Sequence, residues 1–253
     1  MDFIKVEHSQ NVAVVTISRG KANAINDQLV DELLAVISDV TDDEQVRAIV
    51  LASDRPKFFC TGFDFNEVFQ YGREKMAEFF GRYVDLYERI YTLPKPVIGA
   101  VSGHAFAGGA ILALACDFRI MAEGEFGFAL NEVNLGVVPP AGAAAMAIEA
   151  VGFAKAREII LSGDIVTTAQ ALDMGLAKEL APPELVLERA FFHALAFAEK
   201  PAAAFAGAKK LFRGIGCHYN VGEDKRNLRE TLDIWFSPEA ERLKKALLDS
   251  RRE

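Results

Sequence analysis

The chain has 253 residues, with 36 acidic against 28 basic side chains and a formal net charge of -8. A chain of this length buries a full core without disulfides or metal, so disorder and small stapled folds are excluded. The acidic balance argues against non-specific nucleic-acid binding, which needs a basic face. We therefore expect no nucleic-acid partner.

The cysteines and the N-terminal residues indicate where such a protein would reside. Cys60, Cys116 and Cys217 lie far apart and form no CxxC pair, so neither a disulfide framework nor a thiolate metal site is expected. Residues 1–7 contain acids and lack the apolar region of a secretory signal. No apolar run is long enough to cross a bilayer. We expect a cytoplasmic protein without membrane insertion.

Residues 1–122 alternate strand and helix patterns. A hairpin through residues 9–11 is predicted to join the first two strands. Helical spacing of apolar residues marks the segments between the later strands. The predicted strands are 3–6, 12–17, 48–52, 96–101 and 118–122, and the predicted helices are 26–40, 73–91 and 109–115. Strand, helix, strand at this spacing is a βαβ unit, which implies parallel pairing.

From residue 141 onward the alternation stops and helices follow one another. They are predicted at 141–151, 155–161, 168–174, 183–199, 201–213 and 223–248, the last broken at Ser237-Pro238. We predict an α/β protein with a core at residues 1–200 and a C-terminal helical part at residues 201–253.

Several familiar catalytic motifs do not occur. The chain contains no GxxxxGK[ST] phosphate loop, no GxGxxG after the first strand, no HExxH and no GxSxG. The four histidines, His8, His104, His193 and His218, are too scattered for a metal site. No metal or separate cofactor is therefore expected.

Two glycine-bearing turns stand where a strand would feed a helix, at residues 58–64 and 103–109. Small residues allow the backbone to approach a ligand closely, and helix N-termini leave N–H groups unpaired. Two such turns on neighbouring strands can direct two N–H groups at one carbonyl oxygen, as in an oxyanion hole. Spacing alone equally allows tight turns that serve packing only.

Glu132 stands between Leu130 and Val133 in an apolar run. Burial there would raise its pKa toward the range useful for a general base at neutral pH. A half-exposed loop position is the alternative, and the run itself does not decide between them.

At these residues the chain resembles the crotonase (enoyl-CoA hydratase/isomerase) superfamily. The resemblance rests on motifs in the right order, namely 21–26 (KANAIN), 59–64 (FCTGFD), 95–101 (KPVIGAV), 107–109 (AGG), 116–117 (CD), 161–164 (LSGD) and 169–176 (AQALDMGL). It implies a spiral of ββα units forming two roughly perpendicular sheets, with a C-terminal helical trimerisation part.

The resemblance also assigns roles to particular residues. The oxyanion donors would be the N–H groups of Phe63 and Gly108, and Glu132 would be the catalytic acid or base. Residues that would bind substrate are Lys21, Ala22, Ala24, Gly62, Asp64, Phe65, Gly109 and Asn131. The substrate implied is an acyl-CoA thioester, so coenzyme A is part of the substrate, and the implied assembly is a homotrimer or hexamer.

One position separates the reactions of this superfamily. Its hydratase members use two glutamates, and Ile111 occupies the first of those positions. Syn-hydration needs a water between two carboxylates, whereas moving a double bond needs a single base. Residues 128–136 and 235–243 resemble the mitochondrial-type Δ3,Δ2-enoyl-CoA isomerase branch. We predict an enzyme that isomerises 3-enoyl-CoA to 2-enoyl-CoA. The alternatives are a 2-enoyl-CoA hydratase, another acyl-CoA lyase or hydrolase, or a non-catalytic acyl-CoA-binding member.

Two further sets of residues are expectations of the same kind. Basic side chains that could meet the phosphates of coenzyme A, or simply be solvated, are Arg19, Lys21, Arg55, Lys57, Lys209, Lys210 and Arg213. An apolar acyl tunnel is suggested by Phe63, Phe65, Phe69, Phe79 and Phe80.

Overall fold

A computed structural model of the protein describes residues 1–216 and 223–250. Cys217 and His218 lie outside these residues, so the expectations for them stay predictions. No helix in the described part is both long enough and apolar enough to span a membrane.

The described strands form two sheets. They are β1 (Ile4–Ser9), β2 (Val12–Ile17), β3 (Ala48–Ser53), β4 (Phe58–Cys60), β5 (Val97–Val101), β6 (His104–Phe106), β7 (Phe118–Ala122), β8 (Gly127–Ala129), β9 (Val166–Thr167) and β10 (Glu179–Ala181). The first sheet has six strands in the order β1-β2-β3-β5-β7-β10, and the second has four in the order β4-β6-β8-β9. The two sheets expected from the resemblance are present.

The pairing of the first sheet follows the sequence pattern. β1 and β2 form the predicted antiparallel hairpin, with Ile4 opposite Ile17. β2, β3, β5 and β7 pair in parallel, which confirms the predicted βαβ crossovers. Alternate residues of β2 enter different cores, since Val15 packs in the main cluster and Val14 in a smaller one. Helices therefore cover both faces of the sheet, as parallel strands require.

Most predicted helices are present, with shifted ends. The α-helices are α1 (Asp27–Asp42), α2 (Phe65–Val68), α3 (Arg73–Thr92), α4 (Gly108–Ala115), α5 (Ala141–Ser162), α6 (Thr168–Asp173), α7 (Val186–Ala198), α8 (Ala202–Gly216), α9 (Glu223–Arg226), α10 (Leu228–Trp235) and α11 (Pro238–Ser250). The gap predicted near residue 153 corresponds to a break inside α5, where Gly152 has a φ of 77°.

The second sheet is the part of the fold that the sequence pattern did not predict. Its strands β4, β6 and β8 have three residues each, too few to show a period of two. β4 and β6 open the two glycine-bearing segments, which the sequence indicated only as turns. Each segment is therefore a short strand followed by a turn, so hydrogen bonds between the strands fix both turns relative to each other.

Candidate active site

The two glycine-bearing turns meet in space. β4 and β6 are parallel neighbours, so both chains leave the sheet at the same edge. Gly62 has a φ of 84°, and a β-carbon added there would lie 3.1 Å from the Gly108 nitrogen. Only a glycine fits both the backbone conformation and the space. The first turn is thus in direct contact with the start of α4.

The backbone leaves one N–H group free in each turn. The Ile25 N–H donates to the Gly62 carbonyl at 2.7 Å, and the Asp64 N–H donates to the Ile25 carbonyl at 2.7 Å. The Phe63 N–H lies between these two bonds and has no acceptor in the described part of the chain. The Gly108 N–H begins a helix and likewise finds none there. Both groups can donate to an oxygen atom of a ligand.

The second turn is held in an unusual conformation. Ala107 has a φ of 45° and a ψ of -122°, a region that L-residues rarely occupy. Its N–H donates to the Ala129 carbonyl at 2.8 Å, which ties the turn to β8. A β-carbon on Gly109 would lie 2.1 Å from the Cys60 carbonyl oxygen, so this glycine lets the two turns pack together. The surrounding structure therefore determines the direction of the Gly108 N–H.

Tyr83 contacts the same residue, Gly108, through the following peptide group, and was not indicated by the sequence. Its hydroxyl donates to the Gly108 carbonyl at 2.6 Å from a fully buried position on α3. Burial raises the pKa of this hydroxyl well above its ordinary value, so it remains a hydrogen-bond donor at neutral pH. An amphipathic helix carries no sequence signal that separates this tyrosine from its core neighbours.

Glu132 begins a short 3-10 turn (Glu132–Leu135) that follows β8. Its side chain is buried, since the residue is 7% exposed, and its Oε2 atom has no hydrogen-bond partner among the described residues. Burial raises the pKa of this carboxyl from 4.5 to about 7, although a bond from its own backbone N–H opposes the shift. A carboxyl with this pKa exchanges a proton readily near neutral pH.

Glu132 and the two turns line one cavity, which we call the slot. The lining residues are Phe63, Phe65, Phe69, Phe80, Tyr83, Ala107, Gly108, Ile111, Glu132, Leu135, Val137, Val138, Pro140, Thr231 and Trp235. Among these residues, Glu132 is the one carboxylic acid. Ile111 reaches the slot from α4 and is 1% exposed. Phe79 packs behind Phe63, with ring centroids 4.9 Å apart, and does not line the slot.

The loop before α1 contains Lys21, Ala22 and Ala24. Its contact with the first turn is made by backbone, where the Ala22 carbonyl accepts the Thr61 N–H at 3.2 Å. Buried Asn23 strengthens the contact by donating to the Phe59 carbonyl at 3.1 Å. Asn23 was missed, although an asparagine between two alanines in a turn is typical of the positive φ of 52° that it adopts.

The remaining predicted binding residues lie around the slot in different ways. The Asp64 side chain caps α2 and accepts a hydrogen bond from Arg19 at 2.7 Å. The Phe65 ring lines the slot against Phe69, with centroids 4.5 Å apart. Asn131 lies beside Glu132, and its buried Oδ1 atom has no partner among the described residues.

The structure corrects the expectation for two basic residues. Asp117 accepts bonds from Lys209 at 2.8 Å and Arg213 at 2.6 Å, and the same carboxylate accepts the N–H of Val97. Val97 begins β5, whereas the second turn follows the end of β5, a strand length of roughly 16 Å away. Lys209 and Arg213 are therefore buried ion-pair partners of Asp117 and not solvated side chains, and a role for them at the phosphates of coenzyme A stays a prediction.

The other basic residues expected at the phosphates of coenzyme A fall into two groups, those with an ion pair and those without. Arg19 is paired with Asp64, and Arg55 with Asp54. Of the basic residues expected at the phosphates, Lys21, Lys57 and Lys210 are exposed and form no ion pair within the described part of the chain.

Cys60, Cys116 and His104 take part in packing. Burial raises the pKa of both the Cys60 and Cys116 thiols to about 12, so neither is a thiolate at neutral pH. His104 packs between aromatic rings, and its Nδ1 accepts the Gly127 N–H at 3.1 Å.

Comparison with known proteins agrees with this geometry. A family model described as enoyl-CoA hydratase/isomerase matches residues 7–230, and the chain belongs to that family. The crystal structure of human mitochondrial delta3-delta2-enoyl-CoA isomerase superposes with a TM-score of 0.93, covering 98% of each chain at 23% identity. The predicted crotonase fold is therefore confirmed.

Related sequences carry two kinds of name. A probable enoyl-CoA hydratase of Bacillus subtilis (strain 168) is 34% identical over 100% of this chain and 98% of its own length. The mitochondrial enoyl-CoA delta isomerase 1 of Mus musculus is 28% identical over 74% of this chain and 65% of its own length. Relatedness thus establishes an enzyme family that includes both hydration and isomerisation.

Proposed function

We propose that the protein isomerises 3-enoyl-CoA to 2-enoyl-CoA with Glu132 as the single proton shuttle. The observation that carries the proposal is a buried carboxyl whose Oε2 atom has no partner among the described residues and which shares a slot with two free N–H groups and with Ile111. Isomerisation requires one base, and the slot offers one.

The proposed reaction proceeds in two proton transfers. The Glu132 carboxylate removes a proton from the α carbon, and the released electron pair moves into the thioester carbonyl. The N–H groups of Phe63 and Gly108 stabilise the resulting dienolate oxygen; each such donor is typically worth ~10² to 10³ in rate. The protonated Glu132 then delivers its proton to the γ carbon, which leaves the double bond between the α and β carbons. The proposed steps use no cofactor other than the coenzyme A that is part of the substrate.

A pKa near 7 suits a group that must act first as base and then as acid. A carboxyl at its ordinary pKa would accept the proton less readily, and a much higher pKa would leave it protonated at the start. The pKa of about 7 for Glu132 comes from desolvation, which the apolar slot supplies.

Hydration is the second candidate, because several relatives bear the name hydratase. A hydratase of this family would hold a water between two carboxylates. In the slot, Ile111 provides an apolar surface where the second carboxylate would stand. We therefore favour isomerisation.

We propose that coenzyme A lies along the loop that contains Lys21, Ala22 and Ala24. The backbone of this loop contacts the first turn, so a thioester held there would have its carbonyl near Phe63. Lys21 and Lys57 are exposed and have no ion pair in the described part, which leaves their charges available to phosphates.

We also propose that the protein assembles as a homotrimer or a dimer of trimers. Large apolar side chains are exposed along and just after α5, including Phe153, Leu161 and Ile165. Exposed apolar patches of this kind are typical of protein contacts. Light scattering on the purified protein would give the mass of a trimer or a hexamer; the mass of a single chain would contradict this proposal.

Two substrates test the proposed reaction directly. The protein is incubated separately with a 3-enoyl-CoA and a 2-enoyl-CoA, and the absorbance of the conjugated thioester is followed. We expect absorbance to rise with the first substrate and to stay constant with the second. A fall with the second substrate would identify a hydratase, and no change with either would identify a protein without these activities.

A further inference from the structure

The C-terminal helices α10 and α11 close one side of the slot. α10 ends at Trp235, and after Phe236 and Ser237 the chain turns into α11. α11 packs on the turn that carries Glu132, because a β-carbon on Gly136 would lie 3.0 Å from Leu243. These helices are thus fixed directly against the catalytic turn.

Trp235 contributes the largest side chain that lines the slot. It is 7% exposed, and its ring lies 6.3 Å from the ring of Phe63 and 5.6 Å from that of Phe69. The two phenylalanine rings therefore pack against the indole. Of the phenylalanines expected at an acyl tunnel, Phe63, Phe65, Phe69 and Phe80 line the slot beside it.

The space that remains in the slot is small. Its volume is about 40 Å³, room for about three water molecules at roughly 10–15 Å³ each. A long acyl chain has no place in such a volume unless the indole moves.

Lys244 holds the indole in position. Its side chain is 4% exposed, its ammonium donates to the Trp235 carbonyl at 2.9 Å, and it forms an ion pair with Glu241. The same ammonium lies 4.7 Å from the Trp235 ring centroid, 5.4 Å from that of Phe236 and 5.6 Å from that of Phe69. A buried ammonium is stable only while these partners remain in place, so it resists displacement of the ring. The ammonium of Lys244, a residue of α11, lies at the C-terminal end of α10, where the helix dipole also favours a positive charge.

We propose that Trp235, fixed by Lys244, is the end wall of the slot and restricts the protein to short acyl chains. The inference rests on the proposed function in one respect, that the slot holds the acyl group. Trp235 is thereby a specificity-determining residue, and Lys244 is a positioning residue that acts through it.

Binding of saturated acyl-CoA thioesters tests the end wall without any turnover. Trp235 is the one tryptophan of the chain, so its fluorescence reports on occupation of the slot. We expect affinity to rise from butanoyl-CoA to hexanoyl-CoA by up to about fourfold per methylene, and then to stop rising or fall by dodecanoyl-CoA. A rise that continues undiminished to dodecanoyl-CoA would overturn the proposal.

The second test replaces the indole and measures the affinity for acyl-CoA thioesters by calorimetry. Trp235→Ala should bind dodecanoyl-CoA at least about tenfold more tightly than the unaltered protein, an effect of two or more methylenes that find room, while butanoyl-CoA affinity changes by less than about threefold. Trp235→Phe should give an intermediate gain and retains a ring if the alanine variant does not fold. An unchanged length preference in the folded variant would contradict the end wall.

Lys244 has a matched control in its neighbour. Lys244→Met keeps the length of the side chain but loses the ammonium; we expect a red-shifted tryptophan emission and a gain of several-fold in dodecanoyl-CoA affinity. Lys245→Met alters an exposed lysine and should change neither property. Equal behaviour of the two variants would exclude the positioning role.

The outcomes separate this inference from the proposed function. Length-dependent binding without isomerisation would support the end wall and contradict the isomerase. Isomerisation of all chain lengths at similar rates would support the isomerase and contradict the end wall. Failure to bind any acyl-CoA would contradict both.

Discussion

Asp117 and Glu132 are both acidic side chains removed from water, but their surroundings differ completely. Asp117 precedes β7 and accepts hydrogen bonds from one backbone N–H, one lysine and one arginine. Glu132 follows β8 and has a buried carboxyl oxygen without a partner among the described residues. The Asp117 carboxylate thus accepts hydrogen bonds on both oxygens, whereas the Oε2 atom of Glu132 accepts none from the described residues.

The difference teaches which buried acid is available for chemistry. Both oxygens of the Asp117 carboxylate already accept hydrogen bonds, Oδ2 from Val97 and Lys209 and Oδ1 from Arg213, so neither is free for a ligand. No ion pair with Glu132 is found among the described residues, and desolvation raises its pKa to about 7. Burial is therefore common to both acids. A free carboxyl oxygen beside free N–H donors is the feature on which the proposed role of Glu132 rests.

The largest expected effect is on activity. Glu132→Gln removes the base but keeps the shape of the side chain, so we expect isomerisation to fall by ~10² to 10⁴. Affinity for saturated acyl-CoA should stay within about threefold, because Phe63 and Gly108 still bind the carbonyl oxygen. Steady-state kinetics and calorimetry on the same preparation measure both quantities.

The control makes the same exchange at an exposed acid. Glu125→Gln should leave kcat/KM within about twofold, since an exposed carboxylate contributes little. Full activity of Glu132→Gln would remove Glu132 as the base and erase the contrast with Asp117.

The second expected effect is on stability and concerns Asp117, the acid with two ion pairs. Asp117→Asn leaves the side chains of Lys209 and Arg213, which are 6% and 8% exposed, without their carboxylate. We expect the free energy of unfolding in urea to fall by about 3–5 kcal/mol. The folded variant should keep its kcat/KM within about threefold, because the change lies at the opposite end of β5.

Glu158→Gln provides a comparison at an exposed pair with Lys155. Those side chains are 67% and 55% exposed, so the loss should not exceed about 0.5 kcal/mol. A loss of activity in Asp117→Asn comparable to that of Glu132→Gln would mean that the two regions are coupled.

The third effect is a dependence of stability on pH. Because the pKa of Glu132 is raised in the folded protein, folding takes up a proton between pH 4.5 and about 7. Its contribution is fully present below pH 4.5 and is lost as the pH rises through about 7. Glutamine does not titrate, so Glu132→Gln should gain stability relative to the unaltered protein by up to about 3 kcal/mol between pH 5 and pH 8.5. Urea unfolding at both pH values measures this, and a difference that is constant with pH would contradict the raised pKa.

The sequence could predict the regions where a single segment carries the signal. The apolar periodicity of α1 and α3 and the β-branched run of β2 belong to long elements, and those elements formed as expected. The apolar neighbours of Glu132 also lie in one continuous segment of sequence, which is why burial of this side chain could be expected.

Contacts between distant segments could not be predicted in the same way. Lys209 and Arg213 lie 92 and 96 positions from Asp117, and no local pattern links them. β4, β6 and β8 are too short to be seen without their partners. Tyr83 and Trp235 meet the slot only through the packing of α3 and α10. The glycines indicated the two turns and the resemblance to a family assigned their N–H donors, but the residues that hold the turns in place were found only in the tertiary structure.

The smallest expected effect concerns the hydrogen bond from the Tyr83 hydroxyl to Gly108. Tyr83→Phe removes the buried hydroxyl that donates to the Gly108 carbonyl. We expect a stability loss of about 1–2 kcal/mol. If the hydroxyl also directs the Gly108 N–H, kcat should fall several-fold while acyl-CoA affinity changes little. Tyr71→Phe, which removes a hydroxyl bonded to Glu67, should leave kcat unchanged. Equal kcat values for the two variants would mean that the bond from Ala107 to Ala129 suffices to orient the donor, and that Tyr83 only satisfies a buried carbonyl.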